Sequence, residues 1–229
     1  FIYQDAESIT LPEFEMSRYP ITYIQFQSFI EDKTGFNDAR WWEGLAYPTG
    51  HNDASGNQAF EYWNHPRERV SWYDAMAFCR WFSWRLGGTY DLDNVEDWLV
   101  RLPTEYEWEK ATRGTDGREY PYEGKFDASK GNTSETGIKQ TSAVGIFANG
   151  ASPYGILDMS GNVREWCLTD YSNSINKTNR IYTNSASRVL RGGSFAYGDH
   201  YARAARRRLN VPNARYDDSG FRVVRPPSL

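Results

Sequence analysis

The sequence predicts one α+β domain, rich in loops, with short strands and two or three helices. Three observations carry that prediction. Rings are abundant, with nine Trp, sixteen Tyr and twelve Phe among 229 residues, and no stretch approaches eighteen uninterrupted apolar residues. Such a chain builds its core from rings and packed loops rather than from long helices, and no segment is expected to span a membrane. Two segments pair a Ser or Thr with an acidic residue three positions on, just before an apolar run, which is the spacing of a capping box. Segments near the two ends read as strands.

Taken in order, residues 11–22 (LPEFEMSRYPIT) alternate apolar and polar up to Pro20 and predict a strand. Thr22 then caps a helix with Ile24, Phe26, Phe29 and Ile30 on its apolar face, ending near Gly35. Residues 36–64 form a long loop carrying Trp41, Trp42, Tyr47, Tyr62 and Trp63, so the loop should be packed rather than loose. The clearest helix follows. Ser71 and Asp74 open it, an apolar stripe runs through Trp72, Ala75, Phe78, Cys79, Phe82 and Leu86, and Gly87-Gly88 stops it. Thr104 and Glu107 open a shorter helix that ends at Gly114. Residues 120–161, rich in Gly, Ser, Asn and Thr, read as ordered loops and short strands. Residues 188–195 and 220–224 read as strands bracketing a polar, arginine-rich excursion. No internal repeat, low-complexity tract or linker divides the chain, so residues 1–229 are read as one domain.

The totals exclude several functions. A net charge of −4 argues against a protein that binds nucleic acid with its whole surface. Two cysteines, Cys79 and Cys167, make neither a disulfide framework nor a metal cluster, and both fall beside apolar or aromatic residues, as buried thiols do. His51, His65 and His200 are scattered, with no pair at ligand spacing. The first residue is Phe1 and no charged-then-apolar leader follows, so the sequence reads as the C-terminal part of a longer protein, expected in the cytoplasm.

Five motifs carry a resemblance. HPRERVSWYDAMAFCRW (65–81), RLPTEYEWEKATRG (101–114), ASPYGILDMSGNVREW (151–166), RVLRGGSF (188–195) and GFRVV (220–224) each resemble the matching block of the formylglycine-generating-enzyme (sulfatase-modifying-factor) family, in the same order. The resemblance implies a C-type-lectin-like α+β fold. It also implies what chemistry to look for. The oxidising enzymes of that family bind copper through a cysteine pair a few residues after RGGS, soft thiolates being suited to Cu(I). Here Ser194 is followed by FAYGDHYARAARRR, and no cysteine follows Cys167. Copper and formylglycine synthesis are therefore not expected. Iron-dependent sulfoxide synthases of the same family draw their metal histidines largely from an extra helical domain that this sequence lacks. An oxidoreductase using some other metal is the rival reading.

Asp158 and Glu165 lie seven residues apart around the turn Ser160-Gly161. Together with the carbonyls of Gly161 and Val163 they offer calcium the oxygen ligands it needs, and the four positions match a calcium site in the family. Structural Ca²⁺ is expected there, with turn and salt-bridge chemistry as the competing reading. A second family site would begin at Asn132 and Thr133, but its carboxylate position falls on Thr136.

The excursion after RGGSF points to binding. Its family frame is ARAA, Arg207, Pro212, Arg215 and GFR. What remains is Ala196, Tyr197, Gly198, Asp199, His200, Tyr201, Arg206, Arg208, Leu209, Asn210, Val211, Asn213, Ala214, Tyr216, Asp217, Asp218 and Ser219. None of these is Glu, Lys, Gln, Met or Trp, the types that codons ending in a pyrimidine cannot encode, although those five make up about one residue in six of the chain. This pattern resembles the variable proteins of diversity-generating retroelements, whose variable residues arise from randomised Asn codons. Tyr for contact area, small polar residues for adaptable hydrogen bonds and Arg for anchoring also make up the composition of a paratope. The expectation is a non-enzymatic binding module, bacterial or phage, presenting residues 196–219 to a protein or other macromolecule, with Arg203, Arg207 and Arg215 tied into buried bonds beneath. Nucleic acid is not expected as the ligand, because the arginine run is short and Asp217 and Asp218 stand beside it.

Overall fold

Among the described residues, every α-helix begins where side chains replace missing backbone partners. A computed structural model of the chain describes residues 2–3, 7–172 and 185–226. Helices α1 (Tyr23–Glu31), α2 (Trp72–Arg85) and α3 (Glu105–Arg113) each open on a reciprocal capping box. At α2 the Asp74 amide donates to Ser71 Oγ at 3.0 Å while the Ser71 amide donates to Asp74 Oδ2 at 2.7 Å. Thr104 and Glu107 repeat the exchange at α3, which stops at Gly114 with φ +67°. The third box went unread in the sequence. Gln25 Oε1 accepts from the Thr22 amide at 2.9 Å, completing the cap of α1.

Helix α2 is buried on nearly every side, with eleven of its fourteen residues out of solvent. The predicted stripe was too narrow: Trp81 and Tyr73 are core as well, whereas Leu86 lies past the helix end and is exposed. A helix in this position must bond its own polar groups. Arg80 donates to the carbonyls of Trp41, Glu43 and Tyr90, and Ser83 Oγ donates to the Val100 carbonyl. Rings from α1, α2 and the C-terminal segment (Phe26, Phe29, Phe78, Trp81 and Phe221) meet around it with centroids 5.2–6.1 Å apart. In α1, Phe26 and Phe29 are buried but Ile24 is exposed. The loop 36–64 is packed through Trp41 and Trp42, whose indole N–H groups donate to the carbonyls of Thr34 and Phe36. Tyr62 and Trp63, expected in the same packing, are exposed.

The strands are β1 (Ile2–Tyr3), β2 (Glu7–Ser8), β3 (Glu15–Met16), β4 (Arg164–Asp170), β5 (Arg188–Arg191), β6 (Arg208–Asn210), β7 (Ser219–Gly220) and β8 (Val224–Arg225). The main sheet has the order β6-β5-β4-β7, with β4 antiparallel to β5 and parallel to β7. Strand β4 was not predicted, because it is buried almost throughout and shows no alternation of polarity. Residues 11–22 form a strand only over β3, against β8, with an isolated bridge from Thr22 to Pro66, since Pro12 and Pro20 offer no amide to a ladder. The predicted strand 220–224 divides between β7 and β8. No strand occurs in 120–161, where three short 3₁₀ turns hold the loops instead. Among the described residues, no helix is long and apolar enough to cross a membrane.

Buried charge ties these pieces together. Arg222 clamps Glu165 with two bonds of 2.6 and 2.7 Å, and both side chains are fully buried. Trp108 Nε1 donates to the same carboxylate at 2.6 Å. The remaining guanidinium donors reach the carbonyls of Ser17 and Leu157. Removing one partner of such a pair strands a charge in a low dielectric, at a cost of about 3–5 kcal/mol. Arg222→Ala is therefore expected to lower stability by about that amount in urea unfolding. Arg225→Ala, at an exposed position of the next strand, should leave the unfolding midpoint unchanged.

Candidate ligand-binding face

The segment after β5 is pinned at alternate points. Gly192 and Gly193 take φ +93° and +69°, and a Cβ on Gly193 would come within 2.9 Å of the Tyr201 carbonyl oxygen. The chain can therefore fold back tightly over itself. Ser194 Oγ donates to Asp218 Oδ2 at 2.9 Å, Phe195 N to the Asn162 carbonyl and Ala204 N to the Glu119 carbonyl. Ala202 and Ala204 are fully buried. Arg207 makes two bonds to the buried Glu105, at 2.6 and 3.0 Å, and Arg215 makes two to the buried Asp74, both at 2.7 Å. Arg203 departs from expectation. Its side chain is 42% exposed and pairs with the half-exposed Glu119.

Between these anchors, Ala196, Asp199, His200, Leu209, Val211, Asn213, Tyr216 and Asp217 are exposed. Tyr197, Gly198, Tyr201, Arg206, Arg208, Asn210 and Ala214 are half-buried. Two expected surface positions are core. Asp218 is 3% exposed and holds Arg164 at 2.5 Å, and Ser219 is fully buried where β7 pairs with Arg164. Nor do the positions share one face. Strand alternation sets Leu209 on the opposite side of β6 from Arg208 and Asn210.

The structure does gather a smaller set. Tyr197 and Tyr201 meet at 4.9 Å with their planes tilted by 49°, and the Arg208 guanidinium lies over both, 5.7 and 5.3 Å from the ring centres. Arg206 covers Tyr201 at 5.3 Å. At the centre is Arg164, 5.2 Å from the Tyr197 ring and 5.9 Å from that of Tyr216. Sequence reasoning missed Arg164. It stands in the block GNVREW, where only its neighbours Val163 and Glu165 had been read as ligands. Such contacts order the long side chains against the ring faces.

The expected calcium ligands fit an ion poorly. Both Glu165 oxygens are engaged by Arg222, and one of them also by Trp108, so a cation there would face a buried guanidinium. Asp158, at φ +59°, accepts from the Gly145 amide at 2.7 Å. Burial pushes its carboxyl up to about 6, a rise that this bond and Arg222 oppose. The Gly161 amide donates to the Gly192 carbonyl, and Val163 is buried beside it. At the second position, Thr136 Oγ1 donates to Asn132 Oδ1 at 3.1 Å and to the Thr133 carbonyl, closing a neutral turn. Among the described residues, no three His, Cys, Asp or Glu side chains are grouped as metal ligands. His51 bonds Ser71 Oγ and His65 bonds Thr141 Oγ1, and burial lowers the pKa of both. Cys79 lies in the main core and Cys167 in a second cluster beneath α3, and burial pushes both thiols up.

The family described as "Sulfatase-modifying factor enzyme 1-like domain" matches residues 4–227. The formylglycine-generating enzyme of Thermomonospora curvata is 27% identical over 97% of this chain and 85% of its own length. The inactive C-alpha-formylglycine-generating enzyme 2 of Bos taurus is 28% identical over 97% of this chain and 81% of its own. Among solved structures, Treponema denticola variable protein 1 superposes with a TM-score of 0.67 at 24% identity, covering 93% of this chain and 84% of that one. The fold is thus the loop-rich, lectin-like α+β arrangement.

Asp158 gives a pH test. Its folded pKa lies above the ordinary value of 3.8, so protonation favours the folded state. The stabilisation is complete below about pH 4 and disappears as pH rises through about 6. A rise from 3.8 to about 6 corresponds to about 3 kcal/mol. Asp158→Asn keeps a residue tolerant of the left-handed backbone and removes the titration. Its melting temperature should match wild type near pH 4 and exceed it at pH 8. With Glu165 engaged by Arg222, calcium should leave the wild-type melt unchanged at neutral pH. A rise abolished by D158N would restore calcium as a ligand.

Proposed function

Because the chain belongs to the sulfatase-modifying factor enzyme 1-like domain family, we propose that it is a non-enzymatic member which keeps the fold and uses the segment after RGGSF to bind a ligand, a protein or other macromolecule. The observation that carries this is the separation of roles within residues 196–217. Ala202, Ala204, Arg207 and Arg215 fasten the segment, while Tyr197, Tyr201, Arg206, Arg208 and Tyr216 are gathered around Arg164 on the outside. A segment fastened in this way can vary its outer side chains without disturbing the core. The absence of the five codon-restricted residue types from the same stretch supports a diversified face, as in a diversity-generating-retroelement variable protein. The inactive relative in Bos taurus gives a precedent in name for a family member without the enzymatic activity.

The likeness to the T. curvata enzyme favours a second reading, a metal-dependent oxidoreductase. That reading needs a metal held without the thiolate pair, since Cys79 and Cys167 are each fully buried in separate clusters. Stoichiometric copper or iron with oxygen consumption would favour it.

Two measurements test the binding reading. A library randomised at Tyr197, Tyr201, Arg206, Arg208, Tyr216 and Asp217 should yield mostly soluble variants that melt cooperatively near the wild-type temperature, as surface changes within about 0.5 kcal/mol imply. A library at Ala202, Ala204, Arg207 and Arg215 should yield few. Equal attrition in both would end the proposal. Native protein should also react negligibly with a thiol reagent, and unfolded protein should expose two equivalents. Rapid native labelling of either cysteine would instead reopen thiol chemistry.

A further inference from the structure

Arg164, Arg206 and Arg208, with Tyr197 and Tyr201, line a small depression above Gly192-Gly193. The charge inside it is unbalanced. Arg164 is held by Asp218, but among the described residues Arg206 and Arg208 have no acidic partner. The side chain of Arg164 is only 9% exposed. Its Nε, like that of Arg206, is shielded from water and has no hydrogen-bond acceptor. A buried guanidinium N–H without an acceptor is destabilising, and an acceptor supplied by a ligand would relieve it.

We propose that this depression receives a carboxylate from a protein ligand, an Asp or Glu side chain whose oxygens accept from Arg164, Arg206 and Arg208. The inference rests on the binding role proposed above and adds the chemistry of its central contact. A planar guanidinium edge matches a carboxylate, and bonds between the two are about twice as strong as neutral ones. The depression is only about 10 Å³, room for about one water-sized atom, so a single ligand oxygen enters it. Tyr197, Tyr201 and Tyr216 surround the charge with ring surface suited to apolar neighbours of that acidic residue. A run of phosphates fits less well. Asp199 and Asp217 stand exposed on the same segment and repel a ligand charged at every step, while leaving a lone carboxylate free to dock between rings.

The test follows the arginine Nε–H resonances of the full chain by NMR during titration with acetate, inorganic phosphate or chloride at matched ionic strength. Acetate is expected to shift the Arg164 and Arg206 signals saturably, more tightly than phosphate, while chloride produces only the uniform drift of screening. The double variant R206Q/R208Q, checked by its melt, should bind acetate about tenfold more weakly. Overlapping acetate and chloride curves, or tighter binding of phosphate, would overturn the assignment, and neither comparison depends on a variant folding. Failure here leaves the tolerance of the randomised face intact. A face that rejects substitution in the libraries would instead defeat the binding role while leaving any acetate shift in place.

Discussion

The buried bond between Glu165 and Arg222 is the contact on which the other elements converge. Glu165 sits on β4, a central strand of the main sheet, and Trp108 of α3 donates to it. Arg222 approaches from the C-terminal segment and also satisfies the carbonyls of Ser17 and Leu157. The carboxylate and the guanidinium together thus join a strand, a helix and three irregular segments. In a chain with so little regular structure, loop carbonyls need donors that travel far, and arginine supplies them. The device recurs. Glu109 binds Arg113 and Arg191, Glu107 binds Arg101, Glu105 binds Arg207, Asp74 binds Arg215 and Asp218 binds Arg164. These charged clasps take the place of the disulfides or extended sheets that other loop-rich folds use.

Such clasps also mark the limit of what the sequence reveals. Local signals were legible: two capping boxes, the glycine that ends α3, and the rings that pack loop 36–64 all act within a few residues. Long-range pairing was not. Asp218 and Ser219 looked like a polar loop because the partner that buries them, Arg164, lies more than fifty residues upstream. Glu165 looked like a metal ligand for the same reason, its charge being balanced by a residue fifty-seven positions on. Strand β4 escaped notice because a strand covered on both sides loses the alternation that identifies one.

The candidate face shows the same division. Its composition could be read directly, since tyrosine and arginine among small polar residues carry meaning without any fold. Its shape could not. Which residues touch depends on β6 lying beside β5, on the tight reversal at Gly192-Gly193, and on Arg164 arriving from another strand. The result is narrower than the stretch expected to bind: a cluster of tilted rings and guanidinium groups, with Leu209 turned away on the far side of its strand.

The pairing of β3 with β8 has a consequence of another kind. Glu15 stands opposite Arg225 and Met16 opposite Val224, so residues about two hundred positions apart run side by side in opposite directions. Closing so long a loop costs chain entropy before the contact returns anything. A ladder two residues long repays that cost only once the helices and the main sheet already hold the intervening chain in place, so it belongs to the late steps of folding.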